Sequence, residues 1–199
     1  MKVFIVGKQC TGKLEVLNRL EELGCVVGRP FSNIEEYDPR IYMDPAYSMY
    51  SELDIERIFE QESYIYIHGC RERGVPNAHM IQFGLSLYTF DGAEVFSLTP
   101  EEFLAIQQKK FNEDILIVWL DNTRQDRYVR HNREDRLYNF DQREKEESIC
   151  DSELCKQIYS VPSAGVLYFN NEVPERIAAI IYSILKHDDL LSIYINNFN

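Results

Sequence analysis

Seven residues near the start of the chain, Gly7-Lys8-Gln9-Cys10-Thr11-Gly12-Lys13, constrain its fold more than any other feature. They match G-x-x-x-x-G-K, a pattern in which backbone N–H groups turn inward and make a concave cradle for phosphate oxygens. Gly7 and Gly12 admit backbone angles and close approaches that a Cβ forbids, and Lys13 brings a positive charge to the outer phosphates. The flanking residues agree. Val3-Phe4-Ile5-Val6 is a continuous apolar run rich in β-branched residues, as buried parallel strands are. Beyond the loop, Leu14, Leu17, Leu20 and Leu23 recur every third residue with Val16 beside them, giving one apolar helix face with Gly24 as its C-terminal cap. Cys25-Val26-Val27 reads as a second strand, so the first 27 residues open a βαβ unit.

The position after Lys13 departs from the pattern. A Ser or Thr hydroxyl there would ligate magnesium, and this chain has Leu14. Magnesium, if used, must then be held by phosphates, water and other carboxylates, with Glu15 and Asp121 the nearest candidates. Two readings stay open: a loop that turns over its nucleotide without that hydroxyl, or one in which Leu14 packs on the core and the nucleotide is only bound.

The remaining pattern alternates in the same way. Residues 29–50 carry prolines and many tyrosines without a clean period and read as irregular. Leu53 to Phe59 reads as helix, Ser63 to His68 as strand, and Gly69 to Pro76 as a polar turn. Ala93 to Leu98 is a further strand. Thr99 then caps a helix that has Pro100 at its first position and runs to about Lys110. The strongest strand is Ile115 to Leu120. Val166 to Phe169 is the last, and Pro174 opens a helix with Ile177, Ile180, Ile181 and Ile184 on one face. This order predicts a single α/β domain of three layers, α/β/α, around a mainly parallel sheet.

Charge narrows the partners. The 199 residues carry a formal net charge of −12, from 33 acidic and 21 basic side chains, which disfavours a surface built to meet nucleic acid or anionic lipid. Cys10, Cys25, Cys70, Cys150 and Cys155 form no C-x-x-C pair. An odd, scattered set reads as reduced thiols in a cytoplasmic protein. No apolar stretch is long enough for a secretory signal or a membrane span. The four histidines show no ligand spacing, so no metal site of the zinc type is expected.

Against this acidic background one segment is basic. Arg124, Arg127, Arg130, Arg133 and Arg136 recur at every third position and Arg143 follows, six of the chain's 13 arginines. Arginine forks bind phosphate oxygens bidentately and stabilise charge on a phosphoryl group in transfer. Asp126, Glu134, Asp135, Glu144 and Glu146 are interleaved, so a solvated helix laced with local ion pairs is the competing reading.

Taken together, the layout resembles the nucleoside monophosphate kinase family, and is most similar to guanylate kinase. That family has a phosphate loop, a small monophosphate-binding insertion, an arginine-bearing lid, and a strand ending in Asn before the last helix. Here the resemblance implies a P-loop fold with a monophosphate-binding insertion at 28–92 and a lid at 122–147, followed by a C-terminal tail at 186–199. His68-Gly69 and then Gly74 resemble the His-Gly…Tyr-Gly-Thr hairpin of the monophosphate site, with Val75 where the family carries Thr or Ser. Arg133 and Arg143 are spaced like the two lid arginines that contact phosphates. Val166-Leu167-Tyr168-Phe169-Asn170-Asn171 resembles the strand leading to the nucleotide base, which brings in Asn170.

The resemblance implies phosphoryl transfer from ATP, with Mg2+, to a nucleoside or deoxynucleoside monophosphate. Lys13, Arg133 and Arg143 would be catalytic. Gly7, Lys8, Gln9, Cys10, Thr11, Gly12, Lys13, Leu14 and Asn170 would bind the triphosphate. Arg29, Arg40, Tyr47, Tyr50 and Gly74 would bind the acceptor. The expected partners are these two nucleotides, in a monomer or homodimer; the alternative is a non-catalytic nucleotide-binding or sensing module.

Overall fold

The computed structural model describes residues 1–32, 48–49, 51–71, 80–107, 114–133, 140–141, 144–145 and 164–187. The chain divides into two compact units, Met1–Val27 with Glu94–Asn199, and Gly28–Ala93.

In the first unit, β1 (Lys2–Val6) lies inside a sheet with β2 (Val27–Gly28), β7 (Val95–Leu98), β8 (Ile115–Asp121) and β9 (Ala164–Asn170), in the order β2-β7-β1-β8-β9. β1 pairs in parallel with β7 on one side and β8 on the other, and β8 pairs in parallel with β9. Strand alternation sends neighbouring side chains to opposite faces. Val3 and Ile5 join Leu116, Val118 and Leu120 in one core with Val16, Leu17 and Leu20 of α1 (Lys13–Glu22). Ile177, Ala178, Ile181 and Ile184 of α6 (Pro174–Lys186) complete that core. Phe4 faces the other way, its ring 5.6 Å from Phe96 and 5.9 Å from Phe103 of α4 (Pro100–Gln107). Helices therefore cover both faces, and the unit is a three-layer α/β/α P-loop fold with a mainly parallel sheet.

The helix ends follow local chemistry. Thr99 and Glu102 form a capping box at α4: the Glu102 N–H donates to the Thr99 hydroxyl at 3.2 Å and the Thr99 N–H donates to the Glu102 carboxylate at 2.7 Å. Gly24 takes a φ of +90° after α1, and the Cys25 N–H reaches back to the Leu20 carbonyl. Leu23 differs from the expected apolar face. It caps α1 and is exposed, because the helix ends one residue before it.

The second unit contains α2 (Glu52–Glu60), α3 (Leu87–Gly92) and strands β3 (Phe31–Ser32), β4 (Ser48–Met49), β5 (Tyr64–Arg71) and β6 (Met80–Ser86), in the sheet order β4-β3-β6-β5. β5 and β6 are antiparallel, and β5 runs on to Arg71 where a turn from Gly69 is expected. Phe31, Ile55, Ile65, Leu85 and Phe90 are among its buried apolar residues. Two strands lie in the stretch read as irregular, β3 and β4, each two residues long. Among the described residues no helix is long and apolar enough to cross a membrane.

Candidate functional site

The loop Gly7–Gly12 leaves the C-terminal end of β1, where the sheet's neighbours on either side follow β1 in chain order. In open parallel sheets that edge is where ligands bind. Gly7 is required by space: a Cβ there would lie 2.5 Å from the Leu120 carbonyl oxygen and 2.8 Å from the Thr11 hydroxyl. A side chain at this position would force β8 away from the loop. Cys10 and Gly12 both take positive φ, 57° and 94°, and such left-handed turns build the concave nest that receives anions. Gly12 is also the N-cap of α1, so the first helical N–H groups have no capping side chain and face the loop with the positive end of the helix dipole.

Lys13 lies across this cradle. Its ammonium donates to the carbonyls of Gly7 at 2.6 Å and Lys8 at 2.7 Å. Thr11 donates its hydroxyl to the Lys8 carbonyl at 2.8 Å, which braces the same turn. Leu14 packs against the core shared by α1 and α6.

Three of the clustered arginines are fixed by the fold of α5 (Arg124–Arg133), each paired with a carboxylate from another segment. Arg124 pairs with Asp141. Arg127, 3% exposed, binds Glu144 through both Nη atoms, and its Nε donates to the Asn122 carbonyl at 3.2 Å. Arg130 Nη1 meets Glu15 Oε2 at 2.9 Å. Among the described residues these three arginines take partners from outside α5, and Asp126 caps the helix with Thr123; Glu134, Asp135 and Glu146 lie outside the described residues.

Phe140 and Glu144 tie this segment to the loop. The Phe140 ring is buried edge-on to Tyr128 and His131, with the Arg124 and Arg127 guanidinium groups over it. Its carbonyl accepts from the Gln9 amide at 3.4 Å. Lys8 comes within 3.5 Å of Glu144. The hydrogen bond from Arg127 holds the Glu144 carboxyl below the usual glutamate range, against a smaller opposing push from burial, and the charges of Arg127 and Lys8 add to the depression.

Asn170 is exposed at the end of β9, paired in register with Asp121. Asp121 accepts from the Tyr168 hydroxyl at 2.7 Å. Arg29 lies in the second unit and is half-buried. Arg133 is the last residue of α5. Arg40, Tyr47, Tyr50, Gly74 and Arg143 lie outside the described residues. Sequence reasoning singled out Arg133 and Arg143 from their resemblance to lid arginines, because every-third spacing carries no sign of which arginine of the cluster faces the loop. It therefore missed Arg130, Arg127 and the carboxylate Glu144 as the groups at the loop's edge.

The cradle fits a nucleoside triphosphate: two glycines where a Cβ would intrude, a helix N-terminus and a lysine across the mouth. Among the described residues, those nearest the loop offer a magnesium ion no ready set of protein ligands. Leu14 has no oxygen, Glu15 is turned to Arg130, and Asp121 receives the Tyr168 hydroxyl. The described residues contain no group of three His, Cys, Asp or Glu side chains that could hold a metal.

No family model matches the sequence, and no curated protein matches it. Among solved structures the chain is similar to a guanylate kinase from Anaplasma phagocytophilum, with 13% identity and a TM-score of 0.57, over 94% of this chain and 86% of that one. It also matches a shikimate kinase from Acinetobacter baumannii in complex with shikimate, at 13% identity and a TM-score of 0.45, over 95% and 94% of the two chains. A sugar kinase from a Janibacter species follows at 10% identity and 0.43, over 96% of each. At this identity the likeness to the guanylate kinase shows the fold alone: the chain shares its three-layer α/β/α P-loop architecture.

Proposed function

We propose that the protein transfers the γ-phosphoryl of ATP to a nucleoside or deoxynucleoside monophosphate, giving the diphosphate. The observation that carries this reading is the loop itself, with Lys13 lying across a glycine-bounded cradle at the carboxyl edge of a parallel sheet. Positioning and charge stabilisation are most of what phosphoryl transfer asks of a protein. Lys13 steadies the β- and γ-phosphates, Arg133 and Arg143 neutralise the migrating group, and Asn170 lies towards the base. The unit Gly28–Ala93 receives the acceptor, its phosphate held by Arg29 or Arg40 with Tyr47, Tyr50 and the turn at Gly74. A cytoplasmic location goes with this role, as does a monomer or homodimer without nucleic acid or membrane partners.

A second reading has its own support. Leu14 packs on the core and leaves the loop without a metal-ligating hydroxyl, as suits a module that binds a nucleotide without turning it over. An acceptor panel separates the two. ATP is mixed with each of the common ribo- and deoxyribonucleoside monophosphates, and release of ADP is followed. The kinase reading expects acceptor-dependent ADP with at least one; ATP binding with no transfer to any of them supports the second.

A further inference from the structure

Arg130 reaches from α5 to the last turn of the phosphate loop. A Cβ on Gly12 would lie 2.8 Å from Arg130 Nη1 and 3.2 Å from Glu15 Oε2, so the guanidinium and its carboxylate partner both sit against the last turn of the loop. Lys13 spans the loop from the residue that follows Gly12, and Arg130 approaches Gly12 itself. The bare Cα of Gly12 leaves room for that approach.

Arg130 and Glu15 are joined at 2.9 Å, with 30% and 52% of their side chains exposed. An exposed pair of this kind is held weakly, because solvent and salt screen its attraction. A guanidinium gripping phosphate oxygens bidentately makes stronger, charge-assisted bonds. Glu15 therefore keeps the fork beside the loop and yields it readily when a more highly charged anion arrives.

The same loop lacks the hydroxyl that would anchor a metal, since Leu14 is turned into the core. We propose that Arg130, kept beside Gly12 by Glu15, supplies at the outer phosphates of a bound nucleoside triphosphate the positive charge that a protein-anchored metal would otherwise supply. This rests on the reading of the loop as a triphosphate site. Its consequence is specific to this chain: ATP binding depends on Arg130 and only weakly on magnesium.

The test is equilibrium binding of ATP and of AMP, in EDTA and with excess magnesium, to the wild type, Arg130→Ala, Arg130→Lys and Lys13→Ala. Circular dichroism of each variant checks the fold. The wild type should bind ATP in EDTA within about tenfold of its affinity with magnesium. Arg130→Ala should lose about tenfold or more in EDTA for ATP and little for AMP, which has no outer phosphates. Arg130→Lys, keeping the charge without the fork, should fall between. Should Arg130→Ala bind ATP in EDTA as the wild type does while Lys13→Ala is impaired, the role of Arg130 is wrong and the loop assignment stands. Should Lys13→Ala also bind ATP normally, the loop assignment itself falls.

Discussion

Arg127 and Glu144 meet through two hydrogen bonds, one from each Nη of the guanidinium, with the Nη2–Oε1 contact at 2.8 Å. Lys8 of the phosphate loop approaches the same carboxylate oxygen. One glutamate thus joins the loop to the arginine-bearing helix, with Arg127 almost wholly out of water. Removing one member of a buried pair leaves an uncompensated charge, which costs far more than the intact pair contributes. Arg127→Ala is expected to destabilise by about 3 kcal/mol, the low end of that range because Lys8 remains beside Glu144. Urea unfolding measures it; a loss below about 1 kcal/mol would show the pair to be dispensable.

The same carboxylate gives a pH dependence. Its pKa in the folded chain is lowered, mainly by the Arg127 hydrogen bond. The unfolded state therefore takes up the proton first as pH falls. The stabilisation is fully present above the ordinary glutamate pKa and is lost as pH drops through that value and then through the lower folded one. Melting temperature should decline across this acid window in the wild type, and decline less in Glu144→Gln. Parallel acid profiles for the two proteins would contradict it.

Two glycines separate space from backbone strain. Gly24 has a φ of +90° with open space around its missing Cβ, whereas Gly7 faces the Leu120 carbonyl at 2.5 Å. Gly24→Ala should cost about 1–2 kcal/mol, the price of a left-handed Cβ alone. Gly7→Ala should cost above about 3 kcal/mol, because backbone must shift to admit it. Chemical denaturation of both variants ranks them; the reverse order would mean that β8 yields easily at Leu120.

Much of the first unit was legible in the sequence. Val3–Val6, Ile115–Leu120 and the isoleucine stripe of α6 are long apolar signals whose burial decides their structure, and Thr99-Pro100 marks its helix by capping chemistry that needs no tertiary partner. The second unit was less so. β6 passed unnoticed because Gln82 and Gly84 interrupt its apolar run, and Gly84 makes sense only in three dimensions: a Cβ there would lie 2.4 Å from the Tyr66 carbonyl and 2.8 Å from the Phe31 ring. The loop was readable for a related reason. Its glycines and Lys13 act within seven residues, while the partners of Arg127 and Arg130, namely Glu144 and Glu15, are set by how distant segments pack.

Leu14 links stability to chemistry. It is partly buried against the core of α1 and α6, so Leu14→Ser should lose about 1–2 kcal/mol of stability. The new hydroxyl would stand where the loop pattern places a metal ligand. Turnover should therefore rise or its metal optimum change, while the melting temperature falls. A lower melting temperature with the metal dependence untouched would mean that the position serves packing alone.

The central claim is that Lys13 and its loop hold ATP for transfer of the γ-phosphoryl to a nucleoside monophosphate. Single-turnover transfer from γ-labelled ATP tests it most directly, using the acceptor that gives the fastest ADP release, with wild type and Lys13→Ala side by side. The label should appear in a nucleoside diphosphate with the wild type, and Lys13→Ala should bind ATP at least about tenfold more weakly, or 1.4 kcal/mol, with transfer reduced further. Label that stays in ATP with every acceptor, or passes only to water, in a protein that binds ATP through Lys13, would contradict the claim and leave a nucleotide-binding module in its place.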